Sequence, residues 1–152
     1  MATKTTPKAQ FFDLKRQELL SQGRTTEVIA HTDAVTVTAK VYAEGGENAL
    51  HTHTRQDHSF FVVGGEATFY DEHGVKTVVG PYEGILLPAG AYYWFQSTGE
   101  GNLVMLRFAG KVDAIQSAGD DRIDFQGNAF PGDHPGNKAG TRVPVPGAFF
   151  KG

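Results

Sequence analysis

Between Ala34 and Gly110 the sequence is a succession of short apolar and β-branched runs, most of them closed by a turn that contains glycine. Ala34 to Tyr42 alternates along its whole length, and the pair Gly45-Gly46 follows shortly after it. Ser59 to Val63 is an almost continuous apolar run, Glu66 to Tyr70 resumes after Gly64-Gly65, and Val75 to Val79 follows the turn Asp71-Glu72-His73-Gly74. Ile85 to Leu87, Tyr92 to Gln96 and Leu103 to Phe108 complete the series. Alternation with period two sends successive side chains to opposite faces of a strand. Many short strands broken by glycine turns close into a sandwich or a small antiparallel barrel. Strong helical periodicity is scarce, so the expected fold class is all-β.

Composition narrows what such a barrel can do. A chain of 152 residues is long enough to bury one proper core and most simply forms one domain. It has no cysteine, which excludes disulfides, thiolate metal sites and a cysteine nucleophile. With 14 basic and 17 acidic residues and a net charge of -3, it offers no electrostatic case for nucleic acid or an anionic membrane. The first residues carry positive charge but no apolar segment follows, so they do not read as a secretory signal. No apolar run approaches the roughly 18 residues a membrane span needs. The expectation is a soluble, cytoplasmic protein that handles a small molecule.

The two ends differ from the middle. Residues 1–30 are expected to form an N-terminal arm. Within it Asp13 to Ser21 reads as a short helix capped by Asp13 and stopped by Gly23, and Glu27 to Ala30 as a strand. Residues 31–110 are the barrel. Residues 111–152 form a tail with seven glycines and four prolines, a composition that argues against regular structure. A pure linker would not carry Phe125, Phe130, Phe149 and Phe150. These are read as anchors that lay the tail on the barrel or on a partner subunit.

The chemistry concentrates in Gly45-Gly46-Glu47-Asn48-Ala49-Leu50-His51-Thr52-His53-Thr54-Arg55-Gln56-Asp57-His58, which holds three of the six histidines. On a strand, His51 and His53 share a face, and His58 at the start of the next strand closes a third corner if the two strands pair. Three neutral imidazoles suit a divalent transition metal. By itself a His-x-His is more often loop decoration than a metal site. By the same alternation Phe60 and Val62 face the interior with His58, and Tyr93 and Phe95 point inward together, leaving Trp94 and Gln96 on the other face.

These residues resemble a known pattern. The first motif of the cupins is Gly, five residues, His-x-His, three or four residues, Glu, six residues, Gly; here Gly45, His51, His53 and Gly65 are in register and His58 stands at the Glu position. The second motif is Gly, five residues, Pro-x-Gly, two residues, His, three residues, Asn; Pro88, Gly90 and Phe95 fit it. Tyr93 stands at the His position, Ser97 at the Asn position, and Gly84 lies only four residues before Pro88, closer than the motif sets it. Over residues 34–110 the chain is similar to a small single-domain cupin, which implies a double-stranded β-helix, or jelly-roll, barrel.

The resemblance also implies a site. It would hold one divalent transition metal on His51, His53 and His58, with iron first and manganese, nickel, copper, cobalt or zinc as alternatives. Asp57, at the shorter spacing, is the other candidate for the acidic ligand. Tyr93 is the candidate catalytic residue, as ligand or proton donor, unless it merely fills the barrel. Phe60, Val62 and Phe95 are expected to line a substrate pocket. Arg107 could meet a substrate carboxylate there, though a surface role is the plainer expectation. Gln56 and Asp57 are candidates to orient the imidazoles. Three histidines without a carboxylate leave an electrophilic centre with open positions. The expected activity is therefore a dioxygenase-type reaction on a small anionic or enolisable, possibly aromatic, compound. The alternatives are a redox-neutral lyase, decarboxylase or isomerase at the same ion, and a non-catalytic binding barrel. Barrels of this family often pair, so a homodimer is expected.

Overall fold

The computed structural model describes residues 3, 5–111, 121–132, 134 and 141–151, and it is all-β. In chain order the strands are β1 (Glu18–Gln22), β2 (Arg24–His31), β3 (Val35–Tyr42), β4 (Gly46–His53), β5 (Gln56–Gly64) and β6 (Ala67–Tyr70). They continue with β7 (Lys76–Val79), β8 (Gly84–Leu87), β9 (Tyr93–Ser97), β10 (Leu103–Lys111), β11 (Arg122–Asp124) and β12 (Val143–Phe149). Two five-stranded antiparallel sheets, ordered β2-β3-β10-β5-β8 and β11-β4-β9-β6-β7, enclose the interior, and β1 pairs with β12 in a small third sheet. Among the described residues no helix is long and apolar enough to cross a membrane.

The interior is filled by Tyr42, Phe60, Val62, Phe69, Tyr93, Phe95, Leu103 and Met105, with Ala67 and Val79. A second cluster of Leu20, Val41 and Val104, joined by half-buried Phe150, lies between the barrel and the β1–β12 ribbon. Strand β3 therefore has both faces buried. Val41 goes to the outer cluster, while Tyr42 and the long side chain of Lys40 are both enclosed, at 0% and 2% exposure. The two motif glycines are needed for their backbone: Gly45 and Gly65 have φ of 64° and 75°, a region that costs a side chain dearly. A Cβ on Gly65 would also lie 2.5 Å from the Asn102 carbonyl oxygen.

Both ends of the chain depart from the sequence expectation. Asp13 to Ser21 is not a helix. Asp13 Oδ1 accepts from Lys15 N–H, Gln17 N–H donates to the Leu14 carbonyl in a single turn, and the chain then extends as β1. The reason is a tertiary partner: the Asn102 amide clamps the Leu20 backbone in both directions, at 2.6 and 2.8 Å, which outweighs local helix preference. In the tail, Val143 to Phe149 forms a strand despite two prolines. It pairs on one side only, with β1, so the prolines need no N–H for a second ladder. Of the four tail phenylalanines only Phe130 is buried; Phe150 is half-buried, and Phe125 and Phe149 stay exposed at 54% and 41%.

Candidate active site

Strand β4 delivers the first donors. It pairs with β9 so that Glu47 lies opposite Phe95 and His51 opposite Tyr93, which leaves two extra residues on β4 between the pairs. An even excess preserves facing, so Glu47, His51 and His53 all point inward. His58 comes from β5, held between Leu87 of β8 and Ala109 of β10. The second-motif corner is tied to the same place, since Gly90 N–H donates to the His53 carbonyl at 2.9 Å. The rings cluster around His53, whose centroid lies 5.5 Å from that of His51 and 3.9 Å from that of His58. Tyr93 lies against His51 at 4.4 Å.

Each imidazole has a protein partner at Nδ1. His51 Nδ1 lies 2.8 Å from the Ala49 carbonyl, His53 Nδ1 lies 2.8 Å from Asp121 Oδ1, and His58 Nδ1 lies 3.4 Å from the Tyr93 hydroxyl. A proton on Nδ1, donated to these oxygens, leaves the Nε2 lone pair free to accept; this is how protein matrices orient metal-binding histidines. His58 Nε2 is buried and has no partner among the described residues. Burial keeps two of the rings neutral, as ligation requires. It lowers the pKa of His53 to about 4 against the opposing pull of Asp121, and that of His58, next to His53, to about 2. Burial also raises Tyr93 well above the usual phenol range, so it keeps its proton.

Four contributors have no place in the sequence reading. Asp121 accepts from His53, from Arg55 N–H at 2.6 Å and from Gln56 Nε2 at 3.3 Å, fixing the ring from behind. Arg122 Nη2 lies 3.0 Å from His51 Nε2 and 3.1 Å from Glu47 Oε2. Glu47 also meets Lys40 Nζ at 3.4 Å. Burial alone would raise the Glu47 pKa, but Lys40, the His51 contact and Arg122 together hold it well below the carboxylate range. Glu47 was detectable, because it shares the parity of His51 and His53. Lys40 shares the parity of Tyr42 but looks like a surface residue in an alternating strand. Asp121 and Arg122 carry no local signal; β11 brings them in by pairing Arg122 with His53 and Asp124 with His51.

His53 and His58 open on a cavity of about 230 Å³ lined also by Gln56, Arg107, Asp121, Arg122 and Gly132, while His51 and Tyr93 are buried behind it. Arg107 is thus at the cavity, its Nη2 donating to Thr38 Oγ1 at 3.3 Å. Phe60, Val62 and Phe95 face inward as expected, but they are fully buried in the core and none lines this cavity. Its wall is polar because these rings pack against one another and leave no surface for a ligand. Asp57 turns outward and accepts from Ala89 N–H, so it does not compete with His58 for the inward position. His73 is exposed in its turn, and His134 lies in the tail against Phe130.

The donor set suits a divalent cation, with one reservation built into the structure. His53 and His58 each engage Nδ1 and keep Nε2 for a ligand, whereas Arg122 Nη2 lies against the His51 ring, 3.0 Å from Nε2 and 3.2 Å from Nδ1, and Glu47 Oε2 lies 3.3 Å from that Nε2. Correspondingly, among the described residues no three His, Asp or Glu side chains form a ready-made cation cage.

The barrel, its motif glycines and the histidine strand agree with a direct comparison: residues 40–108 match the family model described as Cupin domain. The barrel is a cupin domain. Solved structures share this fold at low identity. An uncharacterized conserved protein with a double-stranded β-helix domain from Klebsiella pneumoniae is 17% identical, with 70% of this chain and 94% of that chain covered and a TM-score of 0.60. KdgF from Halomonas sp. is 22% identical, covers 59% and 82% respectively, and has a TM-score of 0.52. A sugar phosphate isomerase of the cupin superfamily from Silicibacter pomeroyi is 19% identical, covers 59% and 60%, and has a TM-score of 0.52. A comparison with curated protein sequences returns no match.

Proposed function

We propose that this cupin is an enzyme that binds one divalent transition metal on His51, His53 and His58 and moves a proton to or from an oxygen-rich small molecule beside it, as an isomerase or lyase does. The observation that carries the reading is the pairing of His58 with Tyr93. If His58 Nδ1–H donates to the phenol oxygen, the phenol's own proton is left to serve a substrate oxygen. The raised Tyr93 pKa keeps that proton in place at neutral pH. When bound, the cation would polarise a substrate oxygen and acidify the adjacent carbon. The protein's residues then do the rest: Asp121 holds His53, Ala49 holds His51, and Tyr93 lends its proton to the substrate oxygen while the carbon-bound proton passes to water in the polar cavity, and recovers it when the carbon is reprotonated.

The polar cavity supports redox-neutral chemistry over the oxygen chemistry favoured by the sequence. Glu47 sits 3.3 Å from His51 Nε2, so the site is not the carboxylate-free centre that argued for dioxygen. An isomerase among structures of the same fold fits this reading, although that likeness carries the fold alone. Dioxygenase activity remains the second reading, on the ground that a histidine replaces the family's glutamate at residue 58. Protein loaded with manganese, iron, cobalt, nickel or zinc is to be incubated in D₂O with sugar phosphates, uronates and hydroxy acids, and followed by proton NMR with and without oxygen. Deuterium incorporation or conversion without oxygen is expected. Conversion that stops without oxygen and consumes it in air would transfer the assignment to the dioxygenase reading.

A further inference from the structure

Beside the histidine cavity the barrel contains a second lobe, of about 300 Å³, lined by Arg24, Lys40, Glu47, Arg107 and Arg122 with Thr26 and Gly132. The two lobes share Arg107, Arg122 and Gly132. The lining of the second holds four cationic side chains and a single carboxylate. Glu47 answers Lys40 and Arg122, which meet its two oxygens. Nothing among the described residues answers the other two. Arg107 donates to the neutral hydroxyl of Thr38, and its Nε is buried with no hydrogen-bond partner. Arg24 meets only neutral groups, the carbonyl of Gly132 at 3.4 Å and the hydroxyl of Tyr42. Lys40 still carries its proton at neutral pH, since burial lowers its pKa only to about 8. Arg24 and Arg107 are half-buried, so they are partly desolvated without a counterion, and guanidinium groups are shaped to grip an oxyanion with paired N–H donors.

We propose that this lobe is an oxyanion receptor: Arg24 and Arg107, with Lys40 beside them, hold a carboxylate or phosphate group of the substrate. The rest of the molecule then extends past the shared Arg107–Arg122 wall toward Tyr93 and His58. The inference deepens the function proposed above by naming the substrate class, a small acid or phosphate ester with an oxygenated carbon next to the anion-bearing end. It also gives Arg107 a charge to meet, and it explains why a pocket in a protein of net charge -3 is lined by cations.

The test needs neither metal nor turnover, so its failure is separable from failure of the catalytic reading. Metal-free protein is titrated calorimetrically at low ionic strength with inorganic phosphate and, separately, with acetate, against a chloride control. Saturable binding of one anion per chain is expected. Tighter binding of phosphate identifies a phosphate ester as substrate class, and tighter binding of acetate a carboxylic acid. Arg107→Gln and Arg24→Gln should each weaken binding by about tenfold or more, the usual loss for a charge-assisted hydrogen bond. Arg24 lies on an edge strand and is partly exposed, so its variant is expected to fold even if the Arg107 variant does not. Tyr93→Phe should bind the anion as before. No saturable binding of either anion, or binding that Arg24→Gln leaves unchanged while the variant melts like the parent, would overturn the proposal.

Discussion

A guanidinium nitrogen 3.0 Å from His51 Nε2 sets a condition on any cation that is to share that imidazole. A cation on that imidazole would stand close to the guanidinium, and two unit charges about 4 Å apart repel by on the order of 4 kcal/mol even at an effective dielectric of 20. Arg122→Ala should therefore tighten cobalt or zinc binding by at least about tenfold in a titration of metal-free protein. An unchanged affinity would show that the guanidinium is no competitor. Tyr93→Phe tests the other side of the site. Loss of a positioned acid–base group is expected to lower turnover by about 10²-fold with little change in metal content. The inward placement of Tyr93, His51, His53 and His58 was legible in the sequence because strand parity is a local property. Arg122 was not, because its position depends on the pairing of β11 with β4, which sets Arg122 opposite His53.

Strand β11 is three residues long, yet its neighbourhood decides how the histidines are held. Asp121 accepts from His53, so Asp121→Ala should loosen the ring and weaken metal binding by 10- to 100-fold, the usual cost of removing such a support. Equal affinity in that variant would show that the ring is positioned by packing alone. Strand β12 gives a stability prediction. Phe150 packs on Leu20, Val41 and Val104, and a Cβ at Gly64 would lie 2.9 Å from its ring. Phe150→Ala should cost about 2 kcal/mol in denaturant unfolding, less than a fully buried phenylalanine. Phe149→Ala, at an exposed position, should stay within about 0.5 kcal/mol. The barrel strands were readable from alternation and glycine turns. The β1–β12 ribbon was not, because two prolines and the helix-like stretch from Asp13 to Ser21 disguise strands that exist through each other and through the Asn102 clamp.

For the molecule as a whole, His53 and His58 predict how folding responds to acid. In the unfolded chain both take up protons below about pH 6.5. In the folded protein they resist down to about 4 and about 2. The unfolded state thus binds more protons as pH falls from 6.5, and stability must fall with it, by up to about 1.4 kcal/mol per pH unit for each histidine. Metal-free protein should lose roughly 2–3 kcal/mol between pH 6 and pH 5 in urea titrations. A flat profile would mean that the rings are more open to water than the structure shows. There is also a matter of timing. Every strand of the two enclosing sheets except β11 is complete by Lys111, whereas Asp121 and Arg122 come later in the chain. During synthesis the histidines can therefore be gathered before the guanidinium reaches them. A cation present in that interval would meet the histidines alone; one that arrives afterwards would meet the guanidinium as well. Protein refolded in the presence of metal should carry more of it, after equal dialysis, than protein that meets the metal already folded.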